Sequence, residues 1–172
     1  MKDELKKKLA EKLKIAKQKN HRSNVINQLP LNIAAILKNS SYITTPELEK
    51  ALMKVNQKWN FELHTHEFIE KYPNNRVKVS WEKDVLRFVT SMQPIHKQVY
   101  LLLGIENSPL FMVESHWAIQ HFQDLWECID SRDFWLFDEG LTFGLLICHY
   151  GGYLENDPNP EEYFYAITHW GT

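Results

Sequence analysis

The chain has 172 residues, 44% of them hydrophobic and 13% aromatic, which is enough to bury the core of one domain. This composition excludes wholesale disorder, and no apolar run approaches the roughly 18 residues of a membrane-spanning helix. The Lys-rich start is not followed by the apolar core of a signal peptide, so we expect a cytoplasmic protein.

The net charge of −2 conceals an uneven distribution along the chain. Residues 1–60 carry 13 Lys and Arg against 5 Asp and Glu, whereas residues 61–172 carry 7 against 17. From Tyr100 onward Arg132 is the only basic residue, set against twelve acidic ones. An acidic field of this kind repels nucleic acid and attracts basic partners.

The first predicted element is a Lys-rich helix over residues 3–19 with a narrow apolar stripe, followed by a connection over residues 20–30 in which a short helical piece through Val25 and Ile26 is the alternative. We therefore predict a basic helical arm over residues 1–22. The simplest interpretation is a peripheral helix with a solvated face. An electrostatic contact with the acidic half and a nucleic-acid contact are the alternatives.

The second part, residues 23–95, is predicted to be mainly helical. Helices are expected over residues 31–38, over residues 46–59 with Pro46 in the first turn, and over residues 81–92 after a Ser80 cap. Residues 60–72 fit a strand or a helix equally, and residues 72–75 predict a turn.

The third part, residues 96–172, is predicted to be rich in strands. Strands are expected over residues 98–103 and 110–114, a helix capped by Ser115 over residues 116–129, and a last strand over residues 163–169. Between these lies a β-hairpin over residues 133–153, in which Gly140 is expected to take a positive φ. The apolar return run, residues 141–150, indicates a central strand covered on both faces.

This order predicts the fold class. We expect a single α+β domain over residues 1–172, with N-terminal helices followed by a mostly antiparallel sheet of about five strands and one inserted helix.

No catalytic or cofactor motif is apparent, and we predict a protein that is not an enzyme and binds no cofactor. His64 and His66 come closest to a metal pair, but no second motif fixes a third ligand, so no metal site is predicted. A hydrolase that pairs His149 with a nearby carboxylate is the last alternative, since either His149 or His169 would be a general base if it faced a pocket with Asp138 or Glu139. Structural roles are the preferred interpretation for all four of His116, His121, His149 and His169, and Cys128 and Cys148 are interpreted as buried reduced thiols.

From Val99 onward the chain resembles a known family. The segments VYLLL, PLFMVE, a capped helix, DFWLFDEGLTFGLLICHYGGY and FYAITH are similar to the strand-rich half of small bacterial immunity proteins of the SUKH type. The resemblance covers about 40% of the chain and implies a non-enzymatic cytoplasmic protein that binds and blocks a cognate toxin. It carries over no particular functional residue.

The acidic half and the resemblance together predict an immunity or inhibitor protein that neutralises a basic toxin by occlusion. Nuclease toxins fit this description because they carry basic grooves that grip phosphates. The alternative is a nucleic-acid-associated regulator that acts through the basic N-terminal helix. The predicted contact surface consists of acids at the hairpin tip and strand ends with two aromatic anchors: Asp138, Glu139, Tyr153, Glu155, Asp157, Glu161, Glu162 and Trp170.

Overall fold

The computed structural model describes residues 2–60, 71–72, 74–93, 96–104, 108–128, 133–150 and 164–171. None of the helices in these ranges is long and apolar enough to cross a membrane. In chain order the elements are α1 (Lys2–Gln28), α2 (Leu31–Asn39), β1 (Tyr42–Ile43), α3 (Glu47–Trp59), β2 (Arg76–Val79), α4 (Glu82–Ser91), β3 (Gln98–Leu103), β4 (Leu110–Glu114), α5 (Ser115–Gln120), α6 (Phe122–Glu127), β5 (Phe134–Phe137), β6 (Gly144–Tyr150) and β7 (Phe164–Trp170).

The described strands form one antiparallel sheet in the order β1-β4-β3-β5-β6-β7-β2. In its register Phe134 of β5 lies opposite Ile147 of β6, which in turn lies opposite Ile167 of β7. The two edge strands, β1 and β2, come from the first half of the chain. The α+β prediction is confirmed, with seven strands where about five were expected.

Side chains alternate between two hydrophobic cores on opposite faces of the sheet. On one face, Leu145 and Ile147 of β6 lie in the core that α1, α2, α4, α5 and α6 cover. On the other face, Leu146 lies in a smaller core covered by α3 through Leu48 and Val55. The prediction that this apolar strand is interior and covered on both sides is therefore confirmed.

Helix α1 continues to Gln28, so the break predicted after residue 19 is wrong, whereas the alternative of helix through Val25 and Ile26 agrees with the structure. Its residues Val25 and Ile26 are buried in the larger core, and Arg22 donates a hydrogen bond to the carbonyl oxygen of Leu37 at 2.9 Å. Residues 19–24 are all polar, so the sequence shows no apolar stripe that links these residues to the first half of the helix. Packing against α2 and the sheet stabilises this half of the helix instead.

Several local predictions also differ from the structure. Strands β1 and β2 were not predicted, because two and four residues are too few to show an alternating pattern. The helix expected over residues 116–129 is interrupted at His121, giving α5 and α6. Neither Ser80 nor Ser115 is an N-cap, since Trp81 and Glu114 hold those positions without a side-chain cap bond.

The last strand ends on a tightly packed indole. Trp170 is only 6% exposed, and its ring centroid lies 4.9 Å from that of Trp59 in α3. A Cβ atom built on Gly144 would lie 2.1 Å from the Trp170 ring. Glycine at the start of β6 therefore allows the indole to lie directly on the sheet.

This contact predicts that Gly144→Ala displaces Trp170 and lowers the free energy of unfolding by about 1–3 kcal/mol, the usual effect of overpacking a core. Urea denaturation followed by tryptophan fluorescence measures the change. Gly140→Ala is the matched control, because a Cβ there meets its nearest atoms at 3.6 Å and should change stability by less than about 0.5 kcal/mol. Equal stability of the two variants would contradict the close contact.

Candidate functional site

An open cleft of about 270 Å³ lies between α3 and the turn that joins β5 to β6. Its floor is apolar, and its rim carries charges of both signs. A concave apolar surface with a few charged groups at its edge suits the side chain of a binding partner. The lining residues are Ile43, Glu47, Lys50, Ala51, Lys54, Tyr100, Phe137, Glu139 and Leu141.

The turn beside the cleft is organised by the carboxylate of Asp138. Its Oδ1 accepts hydrogen bonds from the backbone N–H groups of Thr142 and Phe143, each at 2.7 Å. Its Oδ2 accepts a bond from the Thr142 hydroxyl at 2.8 Å and lies 3.2 Å from Nζ of Lys97. Aspartate favours turns because it binds nearby backbone N–H groups in this way. The predicted return strand consequently begins at Gly144 rather than at residue 141.

The same turn contains a residue in the left-handed region. Leu141 has a φ of +52°, and Gly140 is not among the positive-φ residues, so the expectation for Gly140 is wrong. A leucine in this conformation is strained by about 1–2 kcal/mol. The carbonyl oxygen of Leu141 accepts bonds from Lys58 Nζ at 2.6 Å and from Trp170 Nε1 at 3.0 Å. These two donors, from α3 and β7, hold the strained residue in place.

Glu139 is the exposed acid of this turn and stands at the edge of the cleft. It lies near Tyr100, whose ring centroid is 5.6 Å from that of Phe137 on the cleft floor. Burial, with a contribution from the negative charge of Glu139, raises the pKa of Tyr100 above its ordinary value of 10.0. The tyrosine hydroxyl is therefore neutral at physiological pH and able to donate a hydrogen bond beside a carboxylate.

The structure divides the predicted contact residues into three groups. Glu139 is exposed, as a contact residue must be. Asp138 is only 7% exposed and is bonded within the turn, so the expectation that its side chain is accessible is wrong. The same expectation is wrong for Trp170, which is buried in the smaller core. The remaining five lie outside the described residues: Tyr153, Glu155, Asp157, Glu161 and Glu162.

The histidines suggested for acid–base chemistry do not face the cleft. His149 lies five residues beyond Gly144, roughly 17 Å along β6 from the turn, so its pairing with Asp138 or Glu139 is wrong. His169 packs against Phe88 of α4, on the opposite face of the sheet. Burial lowers the pKa of His169 below its ordinary value.

Asp133 and Cys148 form a polar contact near the end of β6 that lies away from the turn. Asp133 accepts a hydrogen bond from the thiol of Cys148 and one from the backbone N–H of His149 at 3.4 Å. Burial raises the pKa of Asp133 to about 6 despite these bonds. Burial, together with the charge of Asp133, raises the pKa of Cys148 to about 12. Both cysteines are free but half-buried, so the expectation of buried thiols is wrong, and with this pKa Cys148 is protonated at neutral pH.

His64 and His66, the two histidines considered as metal ligands, lie outside the described residues. Within the ranges that the structure describes, no three His, Cys, Asp or Glu side chains are grouped to hold a metal ion. His96 and His116 do approach each other, with ring centroids 5.0 Å apart, but they lack a described third ligand.

Sequence reasoning missed the α3 side of the cleft. Glu47, Lys50 and Lys54 recur at three- and four-residue spacing on α3, so they share one helix face. That spacing was visible in the sequence, but the partner of this face was not. Tyr100 was assigned to a strand without a role, because nothing local indicates that it lies next to Glu139.

A family model described as YokC prophage protein matches residues 1–169 of this chain. The chain belongs to that family. It is 47% identical over 163 residues to the SPbeta prophage-derived protein YokC of Bacillus subtilis (strain 168), and the match covers 95% of each protein. No solved structure matches. The family match includes both α1 and the cleft, while the resemblance to SUKH-type proteins stays a prediction.

The turn geometry predicts how Asp138→Asn changes stability. Burial alone would raise the pKa of Asp138, but bonds from Phe143 and Thr142 and the charge of Lys97 lower it below the ordinary value of 3.8. Its stabilising effect is therefore present above pH 3.8 and is lost as the pH falls through the lowered pKa. We expect the variant to be less stable by about 1–3 kcal/mol at pH 7, with a smaller difference at pH 3.

Urea denaturation at the two pH values measures this difference. The exposed neighbour provides the control, since Glu139→Gln removes the same charge without removing a turn bond and should have little effect. A loss of stability in Asp138→Asn that is equal at pH 7 and pH 3 would contradict the assigned pKa direction.

The raised pKa of Asp133 predicts that stability depends on pH in the opposite direction from that expected for Asp138. Because its pKa is raised from 3.8 to about 6, its contribution to stability is full below pH 3.8 and is lost as the pH rises through 6. A shift of about two units corresponds to at most about 3 kcal/mol, and partial solvation reduces this to about 1–2 kcal/mol. The Asp133→Asn variant should therefore be more stable than the wild type at pH 7, and the two should have similar stability at pH 4. Thermal denaturation at the two pH values measures the difference. A variant that is less stable at pH 7 would show that the carboxylate stabilises the fold.

Proposed function

We propose that this chain is a non-enzymatic inhibitor of the immunity type, which binds a basic protein partner through the cleft between α3 and the β5–β6 turn. The observation that carries the proposal is the exposed Glu139 at the rim of an apolar floor, on a turn whose backbone is fixed by Asp138. A turn whose backbone is already fixed loses less conformational entropy on binding than a flexible loop does.

The charge distribution supports a basic partner. The chain from Tyr100 onward is strongly acidic, and a basic toxin of the nuclease type would be attracted to it over long range. Two of these acids, Asp133 and Asp138, are buried and engaged within the protein. Glu139 is exposed at the cleft and remains able to meet a partner's Arg or Lys.

The α3 rim makes the proposed contact specific. Lys50 and Lys54 line the cleft together with Glu47 and Glu139, so its rim is not uniformly acidic. A basic side chain can pair with a glutamate only where it avoids the two lysines. Such a pattern selects one orientation of the partner, since like charges placed opposite each other weaken a wrong complex.

The test is capture from a low-salt lysate of cells that carry the protein, with elution by a salt gradient and mass spectrometry. Wild-type protein should retain one basic protein in stoichiometric amount. Glu47→Lys/Glu139→Lys should reduce its recovery at least fivefold, because lysines then replace both cleft carboxylates and repel a basic partner.

The control is Glu127→Lys, an exposed acid on α6 across the sheet from the cleft. Recovery that is unchanged in the cleft variant, or lowered equally by Glu127→Lys, would overturn the cleft assignment. Recovery of nucleic acid in place of a basic protein would instead favour the regulator hypothesis.

A further inference from the structure

The first half of α1 projects from the domain. All residues from Asp3 to Lys14 are exposed, and among the described residues only Lys14 of this segment forms an ion pair with another element, with Glu49 of α3. The second half is fixed, because Gln18 is buried and its Oε1 accepts a hydrogen bond from the backbone N–H of Thr45 at 3.1 Å. The basic arm at the start of α1 is thus anchored to the domain only at its C-terminal end.

The arm carries an apolar stripe that the domain does not cover. Leu5, Leu9 and Leu13 are 74%, 60% and 56% exposed, although leucines at four-residue spacing are usually buried. At 3.6 residues per turn they fall, with Ala16, within about 80° of the helix surface. A stripe this narrow has the width of a coiled-coil seam rather than that of a broad apolar face.

Lysines border the stripe on both sides. The same helical geometry places Lys8 and Lys12 along one edge and Lys6 and Lys17 along the other. The acidic residues of the arm lie on the far side of the helix: Asp3, Glu4 and Glu11.

The leucine stripe and its lysine edges together limit which kind of partner can bind this face of α1. A second copy of the arm would bring lysine against lysine at both edges of the seam, which is repulsive. Nucleic acid would neutralise the lysines but leave the leucines in water. A lipid surface suits helices with a broad apolar face, which this one lacks. A helix with an apolar seam and acidic edges satisfies both the leucines and the lysines.

We propose that the α1 arm is a docking element for an amphipathic helix of a partner protein, with leucine-like residues along its seam and Glu or Asp along both edges. This surface is separate from the cleft. Its contacts are apolar along Leu5, Leu9 and Leu13 and ionic along the flanking lysines.

The test measures binding of a labelled three-heptad peptide with Leu and Ile at the seam positions and Glu at both edges, by fluorescence anisotropy with the full chain. We expect it to bind at least tenfold more tightly than the same peptide with Lys at the edges. Leu9→Ser/Leu13→Ser should weaken binding at least tenfold. Circular dichroism checks that the variant keeps its helix content.

The matched control is Leu31→Ser, because Leu31 is 90% exposed on α2 and lies outside the stripe. It should leave the affinity unchanged. The proposal is overturned if the acidic peptide does not bind, or if the leucine variant binds it as well as the wild type does. It is also overturned if a 20-base-pair DNA duplex or phosphatidylglycerol vesicles bind the arm more tightly than the peptide.

Discussion

The structure around the cleft depends on one buried carboxylate. Asp138 binds two consecutive backbone N–H groups and so fixes where β6 begins. With the turn fixed, the carbonyl of Leu141 points to donors from α3 and β7, Lys58 and Trp170. The turn that Asp138 fixes is therefore bonded, through the carbonyl of Leu141, to the covering helix and to the last strand. The exposed Glu139 takes its position from these bonds rather than from contacts of its own.

Much of the fold could be predicted because its inner strands are long enough to show a pattern. β3 and β6 carry apolar residues at nearly every position, which indicates strands buried on both faces. β1 and β2 have no such signal and form only because an existing strand offers them an edge. The second half of α1 is similar, since Val25 and Ile26 suggested only a short helical piece and their burial depends on α2 and the sheet. What escaped prediction was the structure that depends on distant parts of the chain.

In the candidate site, too, some residues could be assigned from the sequence and others could not. A count of charges treats Asp138 and Glu139 alike, yet one is buried in the turn and the other is exposed. The local signal that distinguishes them is the hydroxyl residue four positions after the aspartate, Thr142, which joins the backbone in binding the carboxylate. The α3 rim of the cleft carries no comparable signal, because its relation to the turn is set by the packing of α3 on the sheet.

Helix α3 is the element that the arm and the cleft share. Glu49 pairs with Lys14 of the arm, while the neighbouring Lys50 and Ala51 line the cleft. The arm contact is an ion pair whose side chains are about half exposed, and such pairs contribute at most about 1 kcal/mol. The position of α3 is set instead by its buried residues, such as Val55, which pack in the smaller core. Breaking the arm contact should therefore leave the cleft intact, so the two surfaces can bind separate partners, or two parts of one partner, without either site reshaping the other.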